Sequence, residues 1–153
     1  MTRILIADDH EVLREGLRAF LAKARPNWEI CGEAGDGEEA IQSCQELQPD
    51  LAVLDITMPT ISGLAASARL RKLGCTFPIL IFTTHHTDRL ATDVRKAGAQ
   101  GYVVKSQAAR QLVQAIDILL AGGTFFGAPP QAEPSPDKPN PGILFCRALV
   151  PAT

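Results

Sequence analysis

Long apolar runs and an excess of charge are both missing from this 153-residue sequence. No apolar run approaches the roughly 18 residues that a membrane-spanning helix needs, and the run after Arg3 stops at Asp8. We therefore predict neither a membrane span nor a signal peptide. The formal net charge of −2 does not indicate bulk binding to nucleic acid or to anionic membranes, and the aromatic content of 5% weakens any base-stacking role.

Paired cysteines are also missing, because Cys31, Cys44, Cys75 and Cys146 lie far apart and form no CxxC motif. This spacing argues against a zinc site or a disulfide framework and favours reduced, mostly buried thiols in a cytoplasmic protein. Hydrophobic residues make up 46% of the sequence, which is enough for the core of one domain.

Up to about residue 123, short apolar runs alternate five times with helical patterns. The apolar runs cover residues 4–7, 28–31, 51–54, 79–82 and 102–104. Helical spacing follows each run, and Asp36, Thr87 and Ser106 are the predicted N-caps of the second, fourth and fifth helices. Because the runs are continuous rather than alternating, they predict a parallel sheet with helices on both faces, an α/β fold of three αβα layers.

Polar side chains follow four of the five predicted strands. Asp8 and Asp9 follow the first, Asp55 the third, Thr83 the fourth and Lys105 the fifth. Ligands of such sheets bind at the carboxyl ends of the strands, so we expect these side chains to meet at one edge. A hard divalent cation such as Mg²⁺ would remove the repulsion among three carboxylates. The hydroxyl and the ammonium suit phosphoryl oxygens, with one carboxylate left to attack.

Four motifs occur in order along these strands: LIADDH at 5–10, VLDITMP at 53–59 with Gly63 beyond it, IFTTHH at 81–86, and GAQGYVVKS at 98–106. Together they resemble the receiver domain of two-component response regulators over about residues 1–125. The segment AIDILLAGGTFF at 115–126 is similar to receivers of the NarL/FixJ type. The resemblance implies a flavodoxin-like sheet in the order 2-1-3-4-5. It also implies a signalling phosphoacceptor that catalyses only its own phosphorylation and dephosphorylation.

The resemblance assigns chemistry to the residues at the strand ends. Asp55 would accept a phosphoryl group from the phosphohistidine of a sensor histidine kinase. Asp9, Asp55 and the backbone carbonyl of Thr57 would bind Mg²⁺ or Mn²⁺, and Asp8 would help directly or through water. Lys105 would pair with a phosphoryl oxygen.

The resemblance also implies a conformational switch and a control of phosphoryl lifetime. Thr83 would turn its hydroxyl onto the phosphoryl group, and Tyr102 would then move inward. A static aromatic residue is the alternative for Tyr102. Thr57 and His85 would flank the phosphoryl group and set how fast water removes it. The pair His85-His86 could instead bind a metal, but no third Cys or His lies nearby.

The composition changes after Gly127. Residues 128–142, APPQAEPSPDKPNPG, contain six prolines, and only the eleven residues ILFCRALVPAT follow. We predict a receiver domain at 1–125 and, at 126–153, a disordered Pro-rich linker with a short apolar tail. A helix-turn-helix is not expected in this chain, and neither is direct DNA binding. A stand-alone receiver, a truncation and a shifted reading frame all remain open.

Other functions fit parts of the pattern. The chain could be the receiver part of a truncated LuxR/NarL-type DNA-binding regulator. A Mg-dependent phosphatase would need a second acid where Thr57 stands, and a flavodoxin-like anion binder would be repelled by Asp8 and Asp9. These two aspartates could also form a solvated turn and helix cap. For partners, we expect a histidine kinase and a possible homodimer through the fourth helix, fifth strand and fifth helix.

Overall fold

In a computed structural model of the chain, strands and helices alternate as the sequence predicts. The structure describes residues 1–84, 87–105 and 109–126, with the backbone alone at 109 and 110. The strands are β1 (Thr2–Ala7), β2 (Trp28–Ala34), β3 (Leu51–Leu54), β4 (Ile79–Thr83) and β5 (Gly101–Val104). The helices are α1 (Glu11–Ala24), α2 (Gly37–Leu47), α3 (Gly63–Lys72), α4 (Leu90–Lys96) and α5 (Ala109–Leu120).

All strand pairs are parallel, and the sheet order is β2-β1-β3-β4-β5. This confirms the predicted α/β fold class and its strand order. The order reverses at β1, which lies between β2 and β3, and a crevice therefore opens beyond the carboxyl ends of β1 and β3.

Helices cover both faces of the sheet, and each face has its own hydrophobic cluster. Leu5 of β1 packs in the cluster with α2, α3 and α4, whereas its neighbours Ile4 and Ile6 pack in the cluster with α1 and α5. Side chains alternate across a strand, so a strand that is buried on both faces must be apolar at every position. Burying each such Leu or Ile side chain contributes about 1.5–3 kcal/mol to folding.

The strand ends that carry the polar residues lie level with one another. The backbone N–H of Asp55 donates to the carbonyl oxygen of Ala7 (3.0 Å), and that of Lys105 donates to the carbonyl oxygen of Thr83 (2.6 Å). In the ladder between β1 and β3, Ala7 pairs with Leu54. The parallel ladders therefore continue one residue past the strands and bring their polar residues to one edge.

Predicted helix starts had mixed outcomes. Asp36 is the N-cap of α2, and its Oδ1 accepts a hydrogen bond from the backbone N–H of Glu39 (2.8 Å). The prediction for Thr87 is wrong, since α4 begins at Leu90 after the N-cap Arg89, which makes no side-chain cap bond. The predicted cap Ser106 lies outside the described residues, as does the predicted linker and tail from residue 127 onward.

The last described residues return to the sheet after α5. The backbone N–H of Tyr102 donates to the carbonyl oxygen of Phe125 (2.8 Å). The backbone N–H of Phe125 in turn donates to the carbonyl oxygen of Gln100 (3.0 Å). A side chain at Gly101 would collide with the Phe125 carbonyl, which explains the glycine at this position. The Phe126 ring meets the Tyr102 ring edge-on at 6.2 Å. The segment 124–126 therefore covers the outer edge of β5.

Two sequence expectations about composition can be compared with the structure. Cys44 and Cys75 are buried and Cys31 is half-buried, all with free thiols, whereas Cys146 lies outside the described residues. Burial raises the pKa of the Cys44 thiol to about 12, so this thiol is protonated and unreactive near neutral pH.

Within the described part of the chain, every helix is too short or too polar to cross a membrane.

Candidate functional site

The carboxyl ends of β1 and β3 bring three aspartates together. One side-chain oxygen each from Asp8, Asp9 and Asp55, with one ring nitrogen of His10, lie within 4.8 Å of one another. Asp8 and Asp55 are only 1% and 4% exposed, whereas Asp9 lies at the surface. Two carboxylates are thus held almost out of water, with a third at the mouth of the pocket.

Lys105 places a positive charge directly beside two of these acids. Its Nζ donates to Oδ2 of Asp8 at 2.6 Å and lies 3.4 Å from Oδ2 of Asp55. The lysine side chain is itself 11% exposed, so these ion pairs are poorly screened by solvent. One ammonium cannot balance three carboxylates, and the pocket therefore keeps negative charge that a cation can offset.

The two buried aspartates have pKa values shifted in opposite directions. Burial raises the pKa of Asp55, and the neighbouring charge of Asp8 adds to this rise, which Lys105 only partly offsets. Burial also acts to raise the pKa of Asp8, but the hydrogen bonds from Lys105 and His10 together outweigh it and lower that pKa. The lysine therefore stabilises chiefly the ionised form of Asp8.

His10 belongs to this site, although sequence reasoning did not select it. Its backbone N–H donates to Oδ1 of Asp8 (2.8 Å), and its Nδ1 lies 3.0 Å from the same oxygen and 3.1 Å from Oδ1 of Asp9. The signal in the sequence was its position directly after the two aspartates. His10 is 70% exposed, so its ring lies over the mouth of the pocket rather than inside it.

The loop that follows Asp55 folds back against the backbone of Asp55 and Ile56. The backbone N–H of Gly63 donates to the carbonyl oxygen of Ile56 (2.9 Å), and a side chain at Gly63 would collide with the Asp55 carbonyl. The first turn of α2 holds the far side of the loop, because Gly37 N–H donates to the Pro59 carbonyl (3.1 Å). The glycine four residues after Pro59 is therefore needed for the backbone that carries Asp55.

The remaining predicted site residues lie near the same edge. Thr83 is fully buried at the end of β4, and Tyr102 is 5% exposed in β5. Tyr102 pairs with Ile81, so Tyr102 and Thr83 lie on the same face of the sheet. Thr57 is exposed, and its backbone amide acts to lower the pKa of Asp55 against the larger effect of burial. His85, like His86, lies outside the described residues.

The donor set suits a hard divalent cation. Carboxylate oxygens are the ligands that Mg²⁺ and Mn²⁺ prefer in proteins, and three of them converge here. The negative charge that remains after pairing with Lys105 supplies the electrostatic reason for such an ion to bind.

Comparisons with known proteins decide the family. Residues 4–117 match the family described as response regulator receiver domain. The chain belongs to the response regulator receiver family. It is 37% identical over 125 residues to the transcriptional regulatory protein YdfI of Bacillus subtilis, covering 82% of this chain and 58% of YdfI. Receiver domains bind Mg²⁺ at an acidic pocket, and Asp8, Asp9 and Asp55 form an acidic group that could hold a metal ion.

Solved structures agree with this assignment. A LuxR-family two-component response regulator from Aurantimonas sp. SI85-9A1 has a TM-score of 0.79 and 38% identity, over 86% of this chain and 93% of that one. The signal receiver domain of the putative response regulator NarL from Mycobacterium tuberculosis has a TM-score of 0.74 and 26% identity, over 79% and 97%. The family is one of signalling proteins of two-component systems rather than metabolic enzymes.

The receiver covers only part of its curated relatives. It spans 58% of YdfI and 52% of the transcriptional regulatory protein DegU of Brevibacillus brevis, little more than half of each. The activities and partners of those longer proteins are therefore matters for proposal here.

The raised pKa of Asp55 predicts a pH-dependent cost of stability. The folded state disfavours ionised Asp55, so ionisation destabilises the protein at pH values above the folded-state pKa. This destabilisation vanishes below the pKa of an aspartate in the unfolded chain, about 3.9. We expect Asp55→Asn to raise the free energy of unfolding at pH 7 by about 0.5–2 kcal/mol. This gain should shrink to zero as the pH falls towards 3.9.

Urea unfolding in the presence of EDTA, at several pH values between 7 and 3.5, measures this gain. Asp50→Asn is the control, because Asp50 is exposed and precedes β3 at the end opposite to Asp55. Its carboxylate accepts a hydrogen bond from the backbone N–H of Arg3, which the amide oxygen of asparagine can also accept. A gain that is the same at every pH, or a loss of stability at pH 7, would contradict the expectation.

Proposed function

We propose that this receiver accepts a phosphoryl group on Asp55 from the phosphohistidine of a sensor histidine kinase, in a reaction that depends on Mg²⁺ or Mn²⁺. The observation that carries the proposal is the cluster of Asp8, Asp9 and Asp55, with the ammonium of Lys105 close to Asp8 and Asp55. The family membership adds support, since receivers of response regulators are phosphorylated by histidine kinases.

The chemistry follows from the side chains present. An oxygen of Asp55 forms the new bond to phosphorus, while the P–N bond breaks and its electron pair returns to the imidazole nitrogen of the kinase. Lys105 Nζ, 3.4 Å from Asp55 Oδ2, lies close enough to pair with an oxygen of the arriving group. Mg²⁺, when bound, supplies positive charge against the phosphoryl oxygens.

Asp9, Asp55 and the backbone carbonyl of Thr57 are the proposed direct ligands of the ion. Asp8 has both side-chain oxygens engaged, Oδ2 with Lys105 and Oδ1 with His10. We therefore favour contact between Asp8 and the ion through water, which keeps these hydrogen bonds intact.

Thr83 and Tyr102 are the proposed conformational switch. Thr83 would turn its hydroxyl towards the phosphoryl group, and Tyr102 would move into the space it leaves. The packing supports transmission of this movement to α4. The Tyr102 ring contacts Phe126, and the Phe126 ring lies 3.8 Å from the guanidinium carbon of Arg95 in α4. Movement of Tyr102 would alter the α4-β5-α5 face, through which we propose that phosphorylation changes partner contacts, including homodimer formation.

Thr57 and His85 remain the proposed determinants of phosphoryl lifetime. The exposure of Thr57, two residues after Asp55, supports its share, since this position is open to solvent. We also propose a cytoplasmic location. The sequence prediction ends the receiver at residue 125, but Phe126 packs on Tyr102 of the receiver, and we therefore propose that the linker and tail begin after Phe126. Relatives named as transcriptional regulators suggest that the signal finally alters transcription. Direct DNA binding by these residues stays outside the proposal.

Intact-protein mass spectrometry after incubation with acetyl phosphate and Mg²⁺ tests the proposal. We expect the wild type to gain the mass of one phosphoryl group, and to gain none when EDTA removes the ion. Asp55→Asn should gain nothing under either condition. An equal gain in Asp55→Asn, or no gain in the wild type with either Mg²⁺ or Mn²⁺, would refute the proposal.

A further inference from the structure

Arg14 of α1 makes a hydrogen bond whose partner belongs to the aspartate pocket. Its guanidinium Nη1 donates to the backbone carbonyl oxygen of Asp8, six residues earlier in the chain. The side chain is 17% exposed, and its Nε donates to Oε1 of Glu33 in β2 at 3.1 Å. The arginine therefore links α1, β2 and the loop that carries the acids.

The contact of Arg14 with the Asp8 carbonyl bears on the orientation of Asp9. The carbonyl of Asp8 belongs to the planar peptide that joins Asp8 to Asp9, so rotation of that peptide would swing the Asp9 carboxylate. The preceding peptide is held separately, because the Asp8 N–H donates to the carbonyl oxygen of Ala34 at 3.0 Å. Arg14 and β2 together hold the peptide groups on both sides of Asp8.

The charge of Arg14 is partly offset by Glu33, a carboxylate that Arg14 shares with Arg18. Oε1 of Glu33 accepts a hydrogen bond from Arg14 Nε at 3.1 Å, and Oε2 of Glu33 forms an ion pair with Nη2 of Arg18 at 2.5 Å. Arg14 meets the pocket at the backbone carbonyl of Asp8 rather than at a carboxylate oxygen, so its contact acts on the peptide group.

We propose that Arg14 is a positioning residue that fixes the Asp8–Asp9 peptide and so prepares Asp9 to bind the divalent cation. The inference rests on the proposed function only in taking Asp9 as a ligand. Arginine suits this task because its planar fork presents separate donors in fixed directions, one to the carbonyl and one to Glu33. A lysine has one ammonium and would not hold both partners in the same geometry.

An NMR titration of backbone amide shifts with MgCl₂ tests the inference without any need for phosphorylation. We expect Arg14→Met to raise the Kd for Mg²⁺ by about 10–100-fold, the usual effect of losing a group that orients a metal ligand. Arg18→Met is the matched control, since Arg18 contacts the same glutamate from the same helix. We expect its Kd to stay within twofold of the wild type, and Arg14→Lys to lie between the two.

A structural role alone would have a different signature. If Arg14→Met and Arg18→Met bind Mg²⁺ equally well, the inference is overturned, whatever their stabilities to urea. Should Arg14→Met fail to fold, Arg14→Lys decides, and a Kd within twofold of the wild type overturns the inference. A wild type that binds Mg²⁺ but gains no phosphoryl group refutes the proposed function and leaves this inference standing, whereas a wild type that binds no Mg²⁺ refutes both.

Discussion

Lys105→Met is expected to slow the phosphorylation of Asp55 by acetyl phosphate by a factor of about 10²–10³ at saturating Mg²⁺. The ammonium lies 2.6 Å from Asp8 and 3.4 Å from Asp55, in a pocket with little solvent to screen it. Methionine keeps most of the side-chain volume but removes the charge that would meet the phosphoryl oxygens. The rate of mass gain by intact-protein spectrometry measures the effect.

Lys72→Met is the control for this prediction, because it removes the same charge from an exposed position at the end of α3. Its rate should equal that of the wild type. A rate for Lys105→Met within threefold of the wild type would show that the lysine is only a structural partner of Asp8.

Gly63→Ala is expected to lower the free energy of unfolding by about 1–3 kcal/mol, the usual cost of overpacking. The added methyl group would collide with the carbonyl oxygen of Asp55, which is backbone and cannot turn away as a flexible side chain can. Because the loop must shift to admit it, the variant should also be phosphorylated more slowly. Urea unfolding and the rate of mass gain measure the two effects.

Gly16→Ala provides a matched control of opposite sign. Gly16 lies inside α1, is exposed, and has open space where its side chain would stand. Alanine is the better helix former there, so stability should rise by about 0.8–1 kcal/mol with no change in phosphorylation. Equal stability for Gly63→Ala and the wild type would contradict the close approach at Asp55.

Local patterns predicted the sheet well because its strands are buried on both faces. The run Leu51–Leu54 is β3, and Asp36 is the cap of α2, since both depend on neighbours in the sequence. The expected meeting of strand ends followed from topology, because parallel strands in this order present their carboxyl ends to one edge.

Features that depend on distant contacts could not be predicted in this way. β2 runs to Ala34 instead of ending at Cys31, because its pairing with β1 extends a strand whose polar residues hide the pattern. The contact of Arg14 with the Asp8 carbonyl joins a helix to a loop, and no spacing rule indicates it. The packing of Phe126 on Tyr102 likewise appears only once the chain has returned to β5.

The central claim is that one of three crowded aspartates, Asp55, becomes covalently modified. Borohydride reduction of the acyl phosphate after treatment with acetyl phosphate and Mg²⁺, followed by peptide mass mapping, identifies the modified residue directly. The account predicts reduction at Asp55 alone. Modification at Asp8 or Asp9, or at no aspartate in a protein that has gained the phosphoryl mass, would contradict it.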